Sequence, residues 1–166
     1  MTIKSGDRVP NAALLRIGID GPEPVVLADC LSARKVVIFG LPGAFTGTCT
    51  AAHVPSFIRT HQALVDAGVD EVICVAVNDP HVMHAWGIAT GAAEAGISML
   101  GDPAAEYTKA MGLAFTAPAA GFYDRTMRHA LFAEDGVIRV LSIEQARGVC
   151  ESTSGEAMLA EIMKLT

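Results

Sequence analysis

The stretch KVVIFGLPGAFTGTCTAAHVPSF, Lys35 to Phe57, decides how the rest of the chain is read. Its first six residues form an apolar, β-branched run, the pattern of a strand covered on both faces. From about Thr48 to Ala67 the apolar residues Val54, Phe57, Ile58, Leu64 and Val65 fall near helical spacing, and Gly68 ends the segment. Pro55 cannot donate a hydrogen bond to the Ala51 carbonyl, which predicts a kink in that helix. Between strand and helix lies a loop containing Pro42, Gly43 and Gly47, and the first turn of the helix carries Cys49. A buried structural cysteine needs no such setting. A reactive one does.

Outward from this unit, EVICVAV (Glu71 to Val77) reads as a second buried strand, and NDP opens a helix through roughly Ala89. ISML is a short strand, and DPAAEYTKAMG a helix with Asp102 near its cap. RHALFAEDGVIRVLSIE reads as a hairpin turning at Glu134-Asp135-Gly136. A final helix covers about Ser154 to Leu165, capped by Ser152, Thr153 or Ser154. Near the N-terminus, AALLRIGI and VVLADCL read as short strands around the turn DGPEP. The order predicts an α/β chain in which a βαβ half and a ββα half share one sheet, as in thioredoxin-like folds. The expectation is a central mixed sheet flanked by helices, with an N-terminal strand extension, in a single domain spanning residues 1–166.

Composition narrows the function. The 166 residues are 51% hydrophobic and 18% charged, a balance that supports a packed core rather than disorder. A net charge of −6 without a Lys/Arg cluster argues against nucleic acid and anionic membrane partners. No segment approaches the roughly 18–20 apolar residues that cross a bilayer. Asp7, Arg8 and Arg16 interrupt any apolar leader core, so the sequence predicts a soluble, cytoplasmic protein. Cys30, Cys49, Cys74 and Cys150 include no C-x-x-C pair, which fits neither a zinc ribbon nor a small disulfide scaffold. His81 and His84 read as surface histidines, Trp86 as packing, and no metal or cofactor is expected.

Cys49 carries the chemistry. A helix N-terminus presents unpaired N–H groups and the positive end of the helix dipole, which favour a thiolate over a thiol. Thr46 stands three residues earlier, within reach of the sulfur in a tight loop, and His53 lies four residues later on the same helical face.

PGAFTGTC has the P-x-x-x-T-x-x-C spacing of the peroxiredoxins, and its wording resembles their type II, peroxiredoxin-five branch. TAAHVPSF, VNDPHVMHAWG and RHALFAEDGVI resemble later segments of that branch in the same order, from about Lys35 to Ile143. Gly47 departs from the family, which often has proline there. The resemblance implies a peroxidase acting on hydrogen peroxide and small organic hydroperoxides in antioxidant defence. Cys49 would be its attacking cysteine, passing through a sulfenic acid. Pro42 would shield the site, in a loop that Gly43 lets turn, Thr46 would hydrogen-bond sulfur and peroxide, and Arg128 would supply positive charge. Arg128 rather than Arg125 reproduces the family's seven-residue offset to the Asp135-Gly136 turn. A homodimer and reduction by glutathione/glutaredoxin or thioredoxin are also implied.

Ionisation alone does not supply the rate. A free thiol is already a few per cent ionised at pH 7, so complete ionisation gains at most ~30-fold. Acidifying a thiol by about three units also weakens the nucleophile roughly 20-fold at a Brønsted slope of ~0.4–0.5. Acceleration therefore falls to donors aimed at the oxygens of the breaking bond, here Thr46, Arg128 and the Cys49 backbone N–H. Recycling stays open at this stage. Cys74 matches a second cysteine of plant relatives but sits in an apolar strand, Cys150 lies in a polar loop, and Cys30 reads as structural. A one-cysteine cycle fits equally. His53 either supports the loop or acts as a base. A cysteine hydrolase using the Cys49–His53 pair lacks an orienting third residue, and a redox sensor without turnover is the non-enzymatic alternative.

Overall fold

The computed structural model describes residues Met1–Thr166. Its strands are β1 (Ala13–Gly18), β2 (Gly21–Val26), β3 (Lys35–Gly40), β4 (Glu71–Ala76), β5 (Ser98–Gly101), β6 (Ala114–Ala117), β7 (Phe122–Thr126), β8 (His129–Glu134) and β9 (Val137–Ile143). Its helices are α1 (Leu27–Leu31), α2 (Val54–Asp66), α3 (Pro80–Thr90), α4 (Glu106–Ala110) and α5 (Gly155–Met163). Seven strands form one mixed sheet in the order β2-β1-β5-β4-β3-β8-β9, and β6 pairs with β7 in a separate hairpin. β3, β4 and β5 run parallel, while β8 and β9 continue the sheet antiparallel. This is the thioredoxin-like arrangement, with the β1–β2 hairpin as the N-terminal extension.

Strand periodicity sorts the core into two layers. Val37 and Phe39, Val72 and Cys74, and Ala130 and Phe132 face Phe57, Leu64, Trp86, Met158 and Ile162 of α2, α3 and α5. The alternate residues Val36 and Ile38, Ile73 and Val75, and Leu131 and Ala133 face Leu27, Leu31, Tyr107 and Met111 around α1 and α4. Both faces are covered, which is why β3 and β4 read as unbroken apolar runs.

Four local expectations are corrected. VVLADCL is split between β2 and α1, because Leu27 and Leu31 are buried four apart and Asn11 accepts the Ala28 N–H at 3.0 Å. The DGPEP turn is shorter: Ile19–Asp20 makes it, and Pro22 and Pro24 lie within β2 at the sheet edge, where their missing donors are harmless. The helix after Asp102 is only Glu106–Ala110; the buried Asp102 carboxylate accepts the N–H groups of Tyr107 and Thr108. The helix after Cys49 is not uniform, since a π-helical turn, Cys49–His53, precedes α2 and the Val54 N–H returns to the Cys49 carbonyl. That widened turn leaves Pro55 in the first turn of α2, where a missing N–H leaves no helical bond broken. The β6–β7 hairpin carries no strong alternation and was not foreseen.

Candidate active site

Strand β3 delivers the Leu41–Thr48 loop to the surface of the sheet, and two contacts hold that loop from outside. Asn78 accepts the Ala44 N–H at 3.0 Å, and Arg125 donates to the Pro42 carbonyl at 2.9 Å. A Cβ on Gly43 would overlap the Arg125 guanidinium, so glycine is what lets Arg125 close over the loop. Phe45 takes φ 63, an uncommon conformation for a bulky residue, and leaves its ring 58% exposed. The first intrahelical bond beyond the loop runs from the Thr50 N–H to the Thr46 carbonyl at 3.0 Å. Cys49 therefore lies in the first turn, where backbone donors have no helical acceptor.

Around the Cys49 sulfur the structure gathers residues from four parts of the chain. Cys49 is 1% exposed and Arg128 2%. Arg128 Nη2 donates to Cys49 Sγ at 3.3 Å and to the Arg147 carbonyl at 3.3 Å. Its Nη1 donates to His53 Nδ1 at 3.0 Å, and its Nε is buried without a partner. Because guanidinium only donates, Nδ1 of His53 accepts; the Nε2–H then donates to the Thr153 carbonyl at 2.9 Å. His53 is thus a neutral ring, held well below the usual imidazole range by burial and by the Arg128 charge. Its ring packs against the stacked pair Phe39 and Phe57, with centroids at 5.1 and 5.6 Å. With both nitrogens engaged, His53 orients Arg128 and offers no free base.

Thr46 is placed differently from the expectation. Its hydroxyl donates to the Gly43 carbonyl at 2.6 Å rather than to sulfur. The oxygen is left with lone pairs only, so toward an incoming molecule it is an acceptor.

Three further residues support the site: Arg125, which the sequence offset set aside, and Glu144 and Thr153, to which the sequence assigned no part in it. Arg125 reaches it from β7. Glu144 ties the Arg128 strand to the following turn: its N–H donates to the Arg128 carbonyl, and its carboxylate accepts from the Glu151 N–H, the Thr153 N–H and the Thr153 hydroxyl. Burial alone would raise that carboxyl, but these hydrogen bonds outweigh it and hold it below its ordinary value. Thr153 in turn presents the carbonyl that fixes His53. Only Glu144's position at the end of the hairpin hints at this.

The other thiols are dispersed. Cys74 is fully buried in β4, in the same core layer as Cys49, and burial raises it well above the usual thiol range. Cys150 is half-buried in the loop before α5, with the Thr153 hydroxyl 3.9 Å from its sulfur; burial raises it while Arg128 opposes that shift. Cys30 sits in α1, across the sheet from Cys49.

Comparison with known proteins agrees with this geometry. Residues 4–159 match the Redoxin family. Peroxiredoxin-2E-2, chloroplastic, of Oryza sativa subsp. japonica is 40% identical over 162 residues, covering 95% of this chain and 72% of that protein. Peroxiredoxin-2F, mitochondrial, of Arabidopsis thaliana is 38% identical over 136 residues, covering 82% and 67% respectively. The crystal structure of reduced Prx3 from Vibrio vulnificus in complex with hydrogen peroxide matches with a TM-score of 0.89 at 38% identity, covering 97% of this chain and 99% of that one. The names of these relatives overturn the cytoplasmic expectation, since they point to chloroplasts and mitochondria. Organelle targeting does not require the apolar leader core that Asp7, Arg8 and Arg16 interrupt. The chain belongs to the redoxin family, and within the thioredoxin-like superfamily it is a type II peroxiredoxin, a thiol-dependent peroxidase.

Proposed function

We propose that Cys49 is the peroxide-attacking residue, and the observation that carries this is the buried Arg128 Nη2–Cys49 Sγ contact of 3.3 Å. A guanidinium placed there stabilises a sulfur anion and offers N–H donors to oxygens arriving beside it. The thiolate attacks the terminal oxygen of a hydroperoxide. The S–O bond forms as the O–O bond breaks, the cysteine is oxidised to sulfenic acid, and the departing alkoxide or hydroxide takes a proton from water. Thr46, whose own proton is committed to Gly43, accepts the hydrogen bond of the attacked O–H and aligns it with the sulfur. Pro42 and Gly43 hold the loop, and His53 holds Arg128. The relative crystallised with hydrogen peroxide supports that oxidant here, with small alkyl hydroperoxides as further substrates.

Recycling by glutathione/glutaredoxin or thioredoxin acting directly on the Cys49 sulfenic acid fits a chain in which Cys74 is sealed in the core. Cys150 is the better-placed internal partner, because its loop has little apolar anchoring beyond the Glu144 tether. A homodimer completes the family expectation. Rapid-mixing measurement of peroxide consumption, with dimedone trapping of the sulfenic acid, tests the assignment. Wild type consumes peroxide and is labelled once at Cys49, whereas Cys49→Ser does neither; a fully reduced, folded protein that leaves peroxide intact would refute it.

A further inference from the structure

The arginines of this chain divide into two groups. Arg16, Arg34, Arg59 and Arg139 each pair with a carboxylate, and Arg8 donates to the Asp135 carbonyl. Arg125, Arg128 and Arg147 pair with none, and these three converge beside Cys49. A chain of net charge −6 therefore keeps its uncompensated guanidiniums at one place. Arg125 and Arg147 both lie over the Phe122 ring, at 5.2 and 6.0 Å from its centroid. Arg125 reaches the Pro42 carbonyl on one side, and a single nitrogen of Arg128 bridges the Cys49 sulfur and the Arg147 carbonyl on the other. These contacts run from Pro42 through Arg125, Phe122, Arg147 and Arg128 to Cys49, and the 42–49 loop of the chain joins the two ends into a ring.

Against this ring lies a cavity of about 340 Å³, walled by Phe115, Ala117, Met127, Arg128, Ala146 and Arg147 among others. Its lining sets the apolar Phe115, Ala117, Met127 and Ala146 beside the uncharged polar Thr116 and Gln145, the arginines and one acid. That acid, Glu144, is turned onto the 151–153 segment, where its Oε1 accepts three hydrogen bonds. The Arg128 Nε is buried without an acceptor, and the Arg147 guanidinium makes no hydrogen bond at all. Unpaired guanidiniums beside the apolar wall of Phe115, Ala117, Met127 and Ala146 suit a molecule with an apolar body and a negative end.

Resting on the assignment of Cys49 above, we infer that this rim and cavity form a subsite for organic hydroperoxides bearing a carboxylate. The apolar body lies along Phe115 and Met127, the carboxylate meets Arg147, and the O–O group reaches Cys49. Arg147 is the specificity-determining residue, because its backbone carbonyl already serves Arg128 while its side chain is free.

The test compares cumene hydroperoxide with its para-carboxylate in single-turnover oxidation of the reduced enzyme, with no reductant present. The ratio of the carboxylate rate to the neutral rate is the readout. One accessible guanidinium facing a carboxylate contributes roughly ten-fold, so Arg147→Gln lowers the ratio by about that factor and Arg147→Glu lowers it further. Arg147→Lys restores most of it, and raising salt from 0.05 to 0.5 M compresses the ratio in wild type as the Debye length shrinks toward ~4 Å. A ratio unchanged across these variants overturns the inference while leaving the Cys49 assignment intact. So does an Arg147 effect confined to the later reduction of the sulfenic acid by a carboxylate-bearing thiol. Failure to oxidise with either hydroperoxide removes the assignment itself, and this inference with it.

Discussion

Arg128 Nη2 lies 3.3 Å from Cys49 Sγ, although 79 residues separate the two in the chain. The contact exists because β8 pairs with β3. Phe39 faces Ala130 and Gly40 faces His129 in that register, so Arg128, two residues before Ala130, emerges on the Phe39 side with α2 and Cys49. A slip of one residue would turn it to the opposite layer. The register is in turn fixed by His129, whose ring fills the space over Gly40 so closely that any Cβ there would overlap it.

If Arg128 acts on the breaking O–O bond and not merely on sulfur ionisation, the two functions separate experimentally. Arg128→Met is expected to slow peroxide reduction by at least 100-fold, within the range seen on removing a preorganised charge-stabilising donor. Alkylation by iodoacetamide, which has no O–O bond, should fall by far less. Equal losses in the two rates, measured on the same protein, would count against the role.

His53 is expected to act through Arg128. His53→Phe removes the acceptor for Nη1 and the donor to the Thr153 carbonyl, leaving two buried groups unpaired at about 1–3 kcal/mol each. Peroxidase rate should drop together with stability. His53→Gln, which can accept from Arg128 and donate to Thr153, should recover much of the rate. A general base could not be replaced by an amide, so absence of rescue would argue for acid–base work instead.

The recycling thiol is identified by serine variants assayed with glutaredoxin/glutathione and with thioredoxin in parallel. Cys74→Ser should retain turnover with both donors, because a sulfur held fully buried in β4 can bond the Cys49 sulfenic acid only after local unfolding. Loss in Cys150→Ser under thioredoxin alone would indicate an internal disulfide, and loss in neither variant a one-cysteine cycle. A Cys74→Ser enzyme that folds but stalls after one turnover would contradict this expectation.

Stability should depend on pH through the two buried imidazoles. Burial holds His129 down to about 4, and His53 also lies well below its ordinary value. In the unfolded chain each titrates near ~6.5. Between these values the unfolded state binds more protons than the folded one, so stability is lost as pH falls from about 6.5 toward 4 and is unaffected above about 7.5. For His129 the full loss is on the order of 3 kcal/mol. Urea midpoints at pH 7.5 and 4.5 check this: the wild-type difference should shrink in His129→Phe, and an undiminished difference would refute the assignment.

The sheet and the cysteine at the helix start were both legible in sequence. KVVIFG and EVICVAV are apolar on both alternations because both faces are buried, and the loop ending at Cys49 announces itself through Pro42, Gly43 and Thr46. Where local pattern and tertiary packing diverge, the sequence reading failed. VVLADCL carries strand-forming valines, yet Leu27 and Leu31 gain more by burial together on one turn of helix. Thr46 stands at the expected spacing, but spacing cannot tell which atom its proton serves.

Amphipathic period and turn chemistry are local properties, so the order of strands and helices and the cysteine at a helix start belong to the sequence itself. The arrangement of charge around that cysteine does not. Arg128, Arg125, His53, Glu144 and Thr153 meet only because strand pairing and layer packing bring distant segments into one small volume. Within that volume, desolvation drives donors and acceptors to specific partners, the Arg128 Nε being the exception.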